Sequence, residues 1–481
     1  LQWIETAEDD DELLIAYIDL VSSILEVKAD AIPKIISFGG ISTLSKLLVN
    51  NYSYTLRSNV ADLFDVVFEK DQTYMGDFIV SGGLIVVFNL LQEDYKKCSN
   101  LLKFSVQFIK GALCNNSSVQ ETVQFMLFNY NNSLDWLSIL LMESAKSHDN
   151  FTIDSIVEII SHLHVSKTSL VKPIFLNSIF KIHEKLSSNN QIKILKFLKK
   201  LNLNEVPQNS NLLKFLVKTV HRILQQKTLM PEILNITCSL MFSCCHLNQE
   251  KQIELVRLHI FPLFQELINS TLPCTEFVIP LLCEFPFNHL LLPFISKQKS
   301  TLLGIFSELL IDPVWQANAL DSLVALHERI GMDDSVAKYL LHDEYHFLLN
   351  GFLVENSLNS ELYLERLIKL LNSYSNSLTV NQIRLSFFNN SEVIDSIFQK
   401  VSQHKSDLVV QINLFKLLKI LSANNFEYKN FEKISFQLNK IKPTNVLLID
   451  QLINEILEGE LDKENSLMGP PTGTTPKKLV F

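Results

Sequence analysis

Residues that turn a chain are scarce here. Only 12 glycines and 14 prolines occur among 481 residues, too few for an all-β protein, which needs them at its many tight turns. Cysteine is thin as well. Cys98, Cys114, Cys238, Cys244, Cys245, Cys274 and Cys283 are odd in number and irregular in spacing, so reduced thiols rather than a disulfide framework are expected. Long apolar runs are missing. The longest uncharged run, Ile233 to Gln249, carries Asn, Thr, Ser, His and Gln, and is too short and polar to span a bilayer. The apolar stretch from Phe277 to Ile295 is broken by Glu284, His289 and three prolines. A soluble, cytoplasmic chain without a transmembrane segment is therefore expected. No signal peptide is visible, and a first residue of Leu1 suggests a piece of a longer protein.

What is present is apolar and periodic. Hydrophobic residues make up 47% of the chain, Phe alone occurring 32 times, ample for many helices packed flank to flank. Ser37-Phe38-Gly39-Gly40-Ile41 runs on to Leu47-Leu48, and Val80-Ser81-Gly82-Gly83-Leu84 runs on to Leu90-Leu91, at an offset of 43 residues. Each glycine pair sits between two helical patterns, where the chain must turn and a positive φ is needed. Helical repeats of about 40–47 residues are the signature of armadillo or HEAT architecture. A weaker third copy runs from Asn131-Asn132-Ser133 to Leu140-Leu141, with asparagine in the glycine role.

The expected fold is an all-α, armadillo/HEAT-like helical-repeat solenoid with a disordered C-terminal tail. Its parts are 1–145 (armadillo-like repeats), 146–300 (degenerate helical repeats), 301–460 (further helical repeats) and 461–481 (the tail). Prolines 173, 207, 231, 262, 273, 280, 286 and 293 are expected at helix starts or breaks. Val409 to Leu421 and Leu362 to Leu371 read as amphipathic helices.

In the third part, Asp312 is placed to cap a helix and Pro313 to occupy its first position, where no donor is needed. Trp315, Ala319 and Leu323 then share one face, with Leu320 beside them. The run Asp312-Pro313-Val314-Trp315-Gln316-Ala317-Asn318-Ala319-Leu320-Asp321-Ser322 resembles a stretch in the C-terminal repeat region of the fungal mitotic-exit and septation-initiation kinases and the plant epsilon-type kinase kinase kinases. The resemblance implies a non-catalytic regulatory and localisation scaffold. Its implied partners are a small Ras-like GTPase and a spindle-pole scaffold, with self-association a further implication, and the spindle pole body its implied location. A kinase domain is implied upstream. This chain has no glycine-rich loop followed by Val-Ala-x-Lys, no His-Arg-Asp, no Asp-Phe-Gly and no P-loop, so neither catalysis nor a cofactor is expected of it. A free-standing helical-repeat adaptor, such as a chaperone cofactor or transport factor, is the alternative.

Charge is segregated. Lys181, Lys185, Lys193, Lys196, Lys199, Lys200, Lys214, Lys218, Arg222 and Lys227 face only Glu184 and Glu205 in the same window, a balance of +8 in a chain whose total is −10. Lys193, Lys196 and Lys200 share one helix face opposite Ile194, Leu195 and Leu198. The first nine are the candidate docking residues for an acidic or phosphorylated partner. Nucleic acid is not expected, because no aromatics interleave with the lysines and the chain is acidic overall. Cys238, Cys244, Cys245 and His246 lack zinc-site spacing, and His162 and His164 read as helix-end residues, so no metal site is expected. In the tail, Thr475-Pro476-Lys477-Lys478 fits a proline-directed phosphorylation site, and Lys463-Glu464-Asn465 matches a mitotic degradation tripeptide.

Overall fold

The computed structural model describes residue 4, residues 10–330 with short breaks, scattered positions between 364 and 372, and residues 391–467 except 423–428; the breaks are 115–116, 166–167, 204, 207–210, 227–229, 271, 310–311 and 313. Among the described residues the secondary structure is helical, with no strand. The chain is an all-α, armadillo-like solenoid by class. It forms two compact units, Leu1–Leu258 with Thr271–Phe277, and His259–Ser270 with Val278–Phe481.

In the first unit three helices make each early repeat. The long helices are α1 (Asp11–Val27), α4 (Tyr54–Lys70) and α7 (Ser99–Cys114). A pair follows each: short after α1 and α4, as α2 (Ile32–Ser37) with α3 (Gly40–Lys46) and α5 (Tyr74–Val80) with α6 (Gly83–Leu90), and longer after α7, as α8 (Ser117–Asn129) with α9 (Ser133–Ser147). The glycine pairs stand at the α2/α3 and α5/α6 turns. Gly39 has φ +79 and Gly82 φ +87, and a Cβ on Gly83 would meet the Phe78 ring at 2.4 Å. At the α8/α9 turn Asn132 takes φ 56 and Ser133 is buried behind it, so the third copy uses asparagine, the non-glycine residue that best tolerates the left-handed region.

The row of long helices continues through α10 (Asn150–His162), α12 (Ser188–Lys199) and α14 (Pro231–Cys245), each in contact with the one before. A second row holds α11 (Pro173–Ile182) and α13 (Leu212–Gln226), and α15 (Gln249–Arg257) packs on α13 and α14. Asn211 precedes α13 at φ 52, a left-handed turn in the middle region where no glycine pair marks it. Pro173 and Pro231 open their helices. The core is phenylalanine-rich. Phe64, Phe68, Phe78, Phe104 and Phe108 from α4, α5 and α7 interlock with ring centroids such as Phe64–Phe78 at 4.8 Å and Phe78–Phe108 at 5.1 Å. Such pairs add about 0.5–1.5 kcal/mol each beyond burial.

The second unit holds α16 (Ile260–Asn269), the end of α17 (Thr275–Glu284), α18 (Leu292–Ile295), α19 (Lys299–Leu309), α20 (Gln316–Ile330), α21 (Ser391–Gln403), α22 (Leu408–Ser422), α23 (Lys429–Ile441) and α24 (Leu447–Leu467). Phe261, Phe264, Phe285 and Phe306 are fully buried there. Two expectations shift. Pro280 lies inside α17 rather than at a boundary. Helix α24 carries helical backbone past residue 461, so Lys463-Glu464-Asn465 is helical; its side chains, Thr475 and most of Leu362 to Leu371 lie outside the described residues. The α22 bounds fit the pattern read from Val409 to Leu421.

No single described helix is long and apolar enough to cross a membrane, and the Thr275–Phe287 and His289–Gln298 segments pass that test only as a pair bent by 83°.

Candidate partner-binding surface

The lysine ridge is built on α12. Ser187 caps its N-terminus, accepting from Asn190 N at 3.4 Å. Ile194, Leu195, Phe197 and Leu198 are buried, which leaves the lysines on the remaining face. Neighbouring helices then engage them. Lys193 bonds Glu158 of α10, Lys196 pairs with Glu232 of α14 at 3.0 Å, and Lys200 donates to the Ser161 carbonyl at 2.6 Å. The Lys193 ammonium holds the Glu158 carboxyl below its usual range. Further ties run along this row of long helices: Asn59 donates to Asp19 at 2.9 Å, Asn100 to Ser58 at 3.4 Å and Asn190 to Asp154 at 2.7 Å. The ridge lysines are thus part of a ladder that stitches repeat to repeat.

The other basic residues form a second set along α11 and α13. These helices run in register at an offset of 34–35 residues, shown by Asn177 with Asn211, the stacked rings of Phe180 and Phe215 (4.3 Å), and Glu184 with Lys218 (3.1 Å). Lys181, Lys185, Lys214 and Lys218 are exposed along this edge, and Lys199 is exposed at the end of α12. Arg222 donates to Gln191 Oε1 at 3.0 Å and reaches the Glu184 carbonyl at 3.4 Å. Glu184 pairs with Lys218, so the positive charge of the edge is left to Lys181, Lys185 and Lys214. Lys227 lies outside the described residues.

Cys238, Cys244 and Cys245 are buried, and burial pushes the Cys244 thiol up to about 12. His246 stacks on Phe242 at 4.7 Å. His162 ends α10 and His164 is exposed just beyond it. Among the described residues, the metal-type ligands that converge are Cys114, Glu158 and His162, with donor atoms within 4.8 Å of one another. Sequence reading missed this cluster because Cys114 is distant in the chain, although Glu158 and His162 stand four apart on one helix. Arg57 was missed too. It is 5% exposed, pairs with Glu93 at 2.7 Å and donates to the Leu48 carbonyl at 3.2 Å.

The Asp312–Ser322 run keeps its capping chemistry at Asp312. The Asp312 carboxylate accepts from Val314 N at 2.9 Å and its carbonyl accepts from Gln316 N at 2.8 Å, the two bonds of a helix N-cap, although regular helix α20 is reached only at Gln316. The Trp315 carbonyl accepts from Ala319 N at 2.9 Å as the ladder continues. Ala319, Ser322 and Leu323 are buried, Trp315, Gln316 and Asp321 half-buried. Ser322 donates to the Cys283 carbonyl at 3.1 Å, tying α20 to α17. Pro313 and the Leu320 side chain lie outside the described residues.

No protein-family model matches the chain. In sequence it is 22% identical over 443 residues to the cytokinesis protein sepH of Aspergillus niger, covering 86% of this chain and 31% of that protein. It is 23% identical over 405 residues to the cytokinesis protein sepH of Emericella nidulans, covering 79% of this chain and 28% of that protein. The chain is homologous to these proteins and spans less than a third of their length. In structure it is similar to SYS-1, an armadillo-repeat protein, with a TM-score of 0.53 and 11% identity over 88% of this chain and 85% of that one. SYS-1 in complex with POP-1 gives 0.52, at 10% identity over the same shares of the two chains.

Proposed function

We propose that this chain is the non-catalytic regulatory and localisation region of a mitotic-exit or septation-type Ser/Thr protein kinase. It binds a small Ras-like GTPase and a spindle-pole scaffold, recruits the kinase to the pole in late mitosis, and contributes to self-association. The observation that carries this reading is the match to cytokinesis proteins across 86% of the chain. The fold supports it: a stack of helices exposes a long outer surface suited to protein partners, and SYS-1, of like fold, is found in complex with POP-1. The resemblance of the Asp312–Ser322 run adds the kinase and its pathway. Thr475 is the proposed phosphorylation site, where phosphate would add nearly two negative charges beside Lys477 and Lys478.

The basic residues supply the docking surface for an acidic or phosphorylated segment of the scaffold. Lys181, Lys185 and Lys214 carry most of it, because Lys193, Lys196, Lys200 and Lys218 are already engaged by neighbouring elements. The test is fluorescence imaging of the tagged chain in dividing fungal cells. Wild type should concentrate at the spindle pole in late mitosis, and a Lys181→Glu, Lys214→Glu double variant should lose that signal. Unchanged recruitment of the variant would remove the basic edge from the account. Absence of the wild-type chain from the pole would remove the localisation role itself.

A further inference from the structure

The end of α7 and the last turn of α10 bring a thiol, a carboxylate and an imidazole together, apart from the exposed basic edge. Cys114 Sγ lies 3.5 Å from His162 Nδ1, and Glu158 Oε1 lies 3.6 Å from the same nitrogen. Glu158 and His162 stand four apart on α10, so both project from one face. Zinc bonds of about 2.3 Å to sulfur and about 2.0 Å to nitrogen and oxygen, at a tetrahedral angle, put sulfur and nitrogen about 3.5 Å apart and nitrogen and oxygen about 3.3 Å apart. The observed separations stand within a few tenths of an ångström of those edges.

The same arrangement is poorly suited to a Cys–His–Glu catalytic relay. In such a relay the thiol and the carboxylate hold opposite ring nitrogens, whereas here both approach Nδ1. Burial and the Glu158 charge also push the Cys114 thiol up rather than down. Convergence on one nitrogen is the geometry of ligands around a shared centre.

We propose that Cys114, Glu158 and His162 form a binding site for one divalent cation of the zinc class, with water as the fourth ligand. Binding displaces the thiol proton to solvent, and thiolate and carboxylate together match the charge of the ion. His162 Nδ1 now lies 3.0 Å from the Glu158 carbonyl oxygen and 3.2 Å from Ser161 Oγ. As a ligand the neutral ring carries its single proton on Nε2, leaving the Nδ1 lone pair for the ion. Lys193 bonds Glu158 Oε2, which leaves Oε1 turned to the cluster and makes Lys193 an orienting partner of the ligand. Cys114 is half-buried while the other six cysteines are buried, so an ion arriving from solvent meets this thiol first. The ion would clamp α7 to α10, adjacent long helices of successive repeats.

The test uses the full chain, reduced and freed of metal, titrated with Co²⁺ and followed by the thiolate-to-cobalt charge-transfer absorption. One equivalent should produce the band, Zn²⁺ should bleach it, and Zn²⁺ should raise Tm by binding only the folded chain. Cys114→Ser should abolish the band at unchanged helical circular dichroism, and His162→Asn and Glu158→Gln should each weaken the affinity at least about tenfold. A second measurement needs no variant: Zn²⁺ should protect Cys114 from alkylation in the native chain. Absence of a band at one equivalent, a band that survives Cys114→Ser, or alkylation unaffected by Zn²⁺ would each overturn the site.

Discussion

Gly83 sits so close to Phe78 that no side chain fits between them, since a Cβ would meet ring carbons at 2.4 Å. Phe78 cannot retreat, because Phe64, Phe68, Phe104 and Phe108 surround it. Gly83→Ala should therefore destabilise the chain by about 1–3 kcal/mol, read as a lower urea midpoint at unchanged slope. Asp65 on α4 is a different kind of residue. Burial, then Asp62 and Glu69, push its carboxyl up from 3.8 to about 7. Between those values the folded state holds a proton that the unfolded state has released, so stability falls as pH rises through this window. Asp65→Asn should raise Tm at pH 8 by the equivalent of one to about 4 kcal/mol, and change it little near pH 4; equal effects at both pH values would contradict the assignment. His183 has the opposite sign. Burial pushes it from 6.5 down to about 4, and it faces the Gln191 carbonyl at 3.3 Å. Its contribution is complete above pH 6.5 and is lost as pH falls toward 4, where the buried ring must charge. His183→Gln should flatten that limb of the stability profile.

At the level of elements, the ties between helices separate what a local pattern reveals from what it hides. The glycine pairs mark the α2/α3 and α5/α6 turns because a left-handed residue is a strictly local demand, and Asn132 and Ser133 meet the same demand. The buried stripe of α12 and the bounds of α22 were legible for the same reason, as helical periodicity is local. The partners of Lys193, Lys196 and Lys200 were not. They sit 35, 36 and 39 residues away on other helices, and no spacing rule within one helix names them. Charge counting therefore found a basic window but could not tell the ridge engaged by its neighbours from the open edge of α11 and α13. Asp312 shows the converse case, since capping is a local demand: its carboxylate takes the Val314 N–H and its carbonyl the Gln316 N–H, as the pattern required. Arg57 gives the element-scale prediction. It binds Glu93 and the Leu48 carbonyl from a nearly buried position, so Arg57→Ala should cost about 3–5 kcal/mol by leaving Glu93 unpaired. Thermal unfolding monitored by circular dichroism checks it, and a loss below about 1 kcal/mol would place the pair among ordinary surface contacts.

For the whole molecule, helical repeats and their class were readable because a stack of neighbours repeats one packing problem along the chain, and each solution leaves the same apolar period. The proposed recruitment would be a matter of the exposed surface, which periodicity does not describe, and the proposal is supported by the relation to cytokinesis proteins. The most direct measurement of recruitment is retention of the purified chain on an immobilised small Ras-like GTPase of the septation pathway, loaded with GTP or GDP. Retention on the GTP-loaded form, weaker on the GDP form, is the predicted result; equal absence from both would contradict a role in GTPase-directed recruitment.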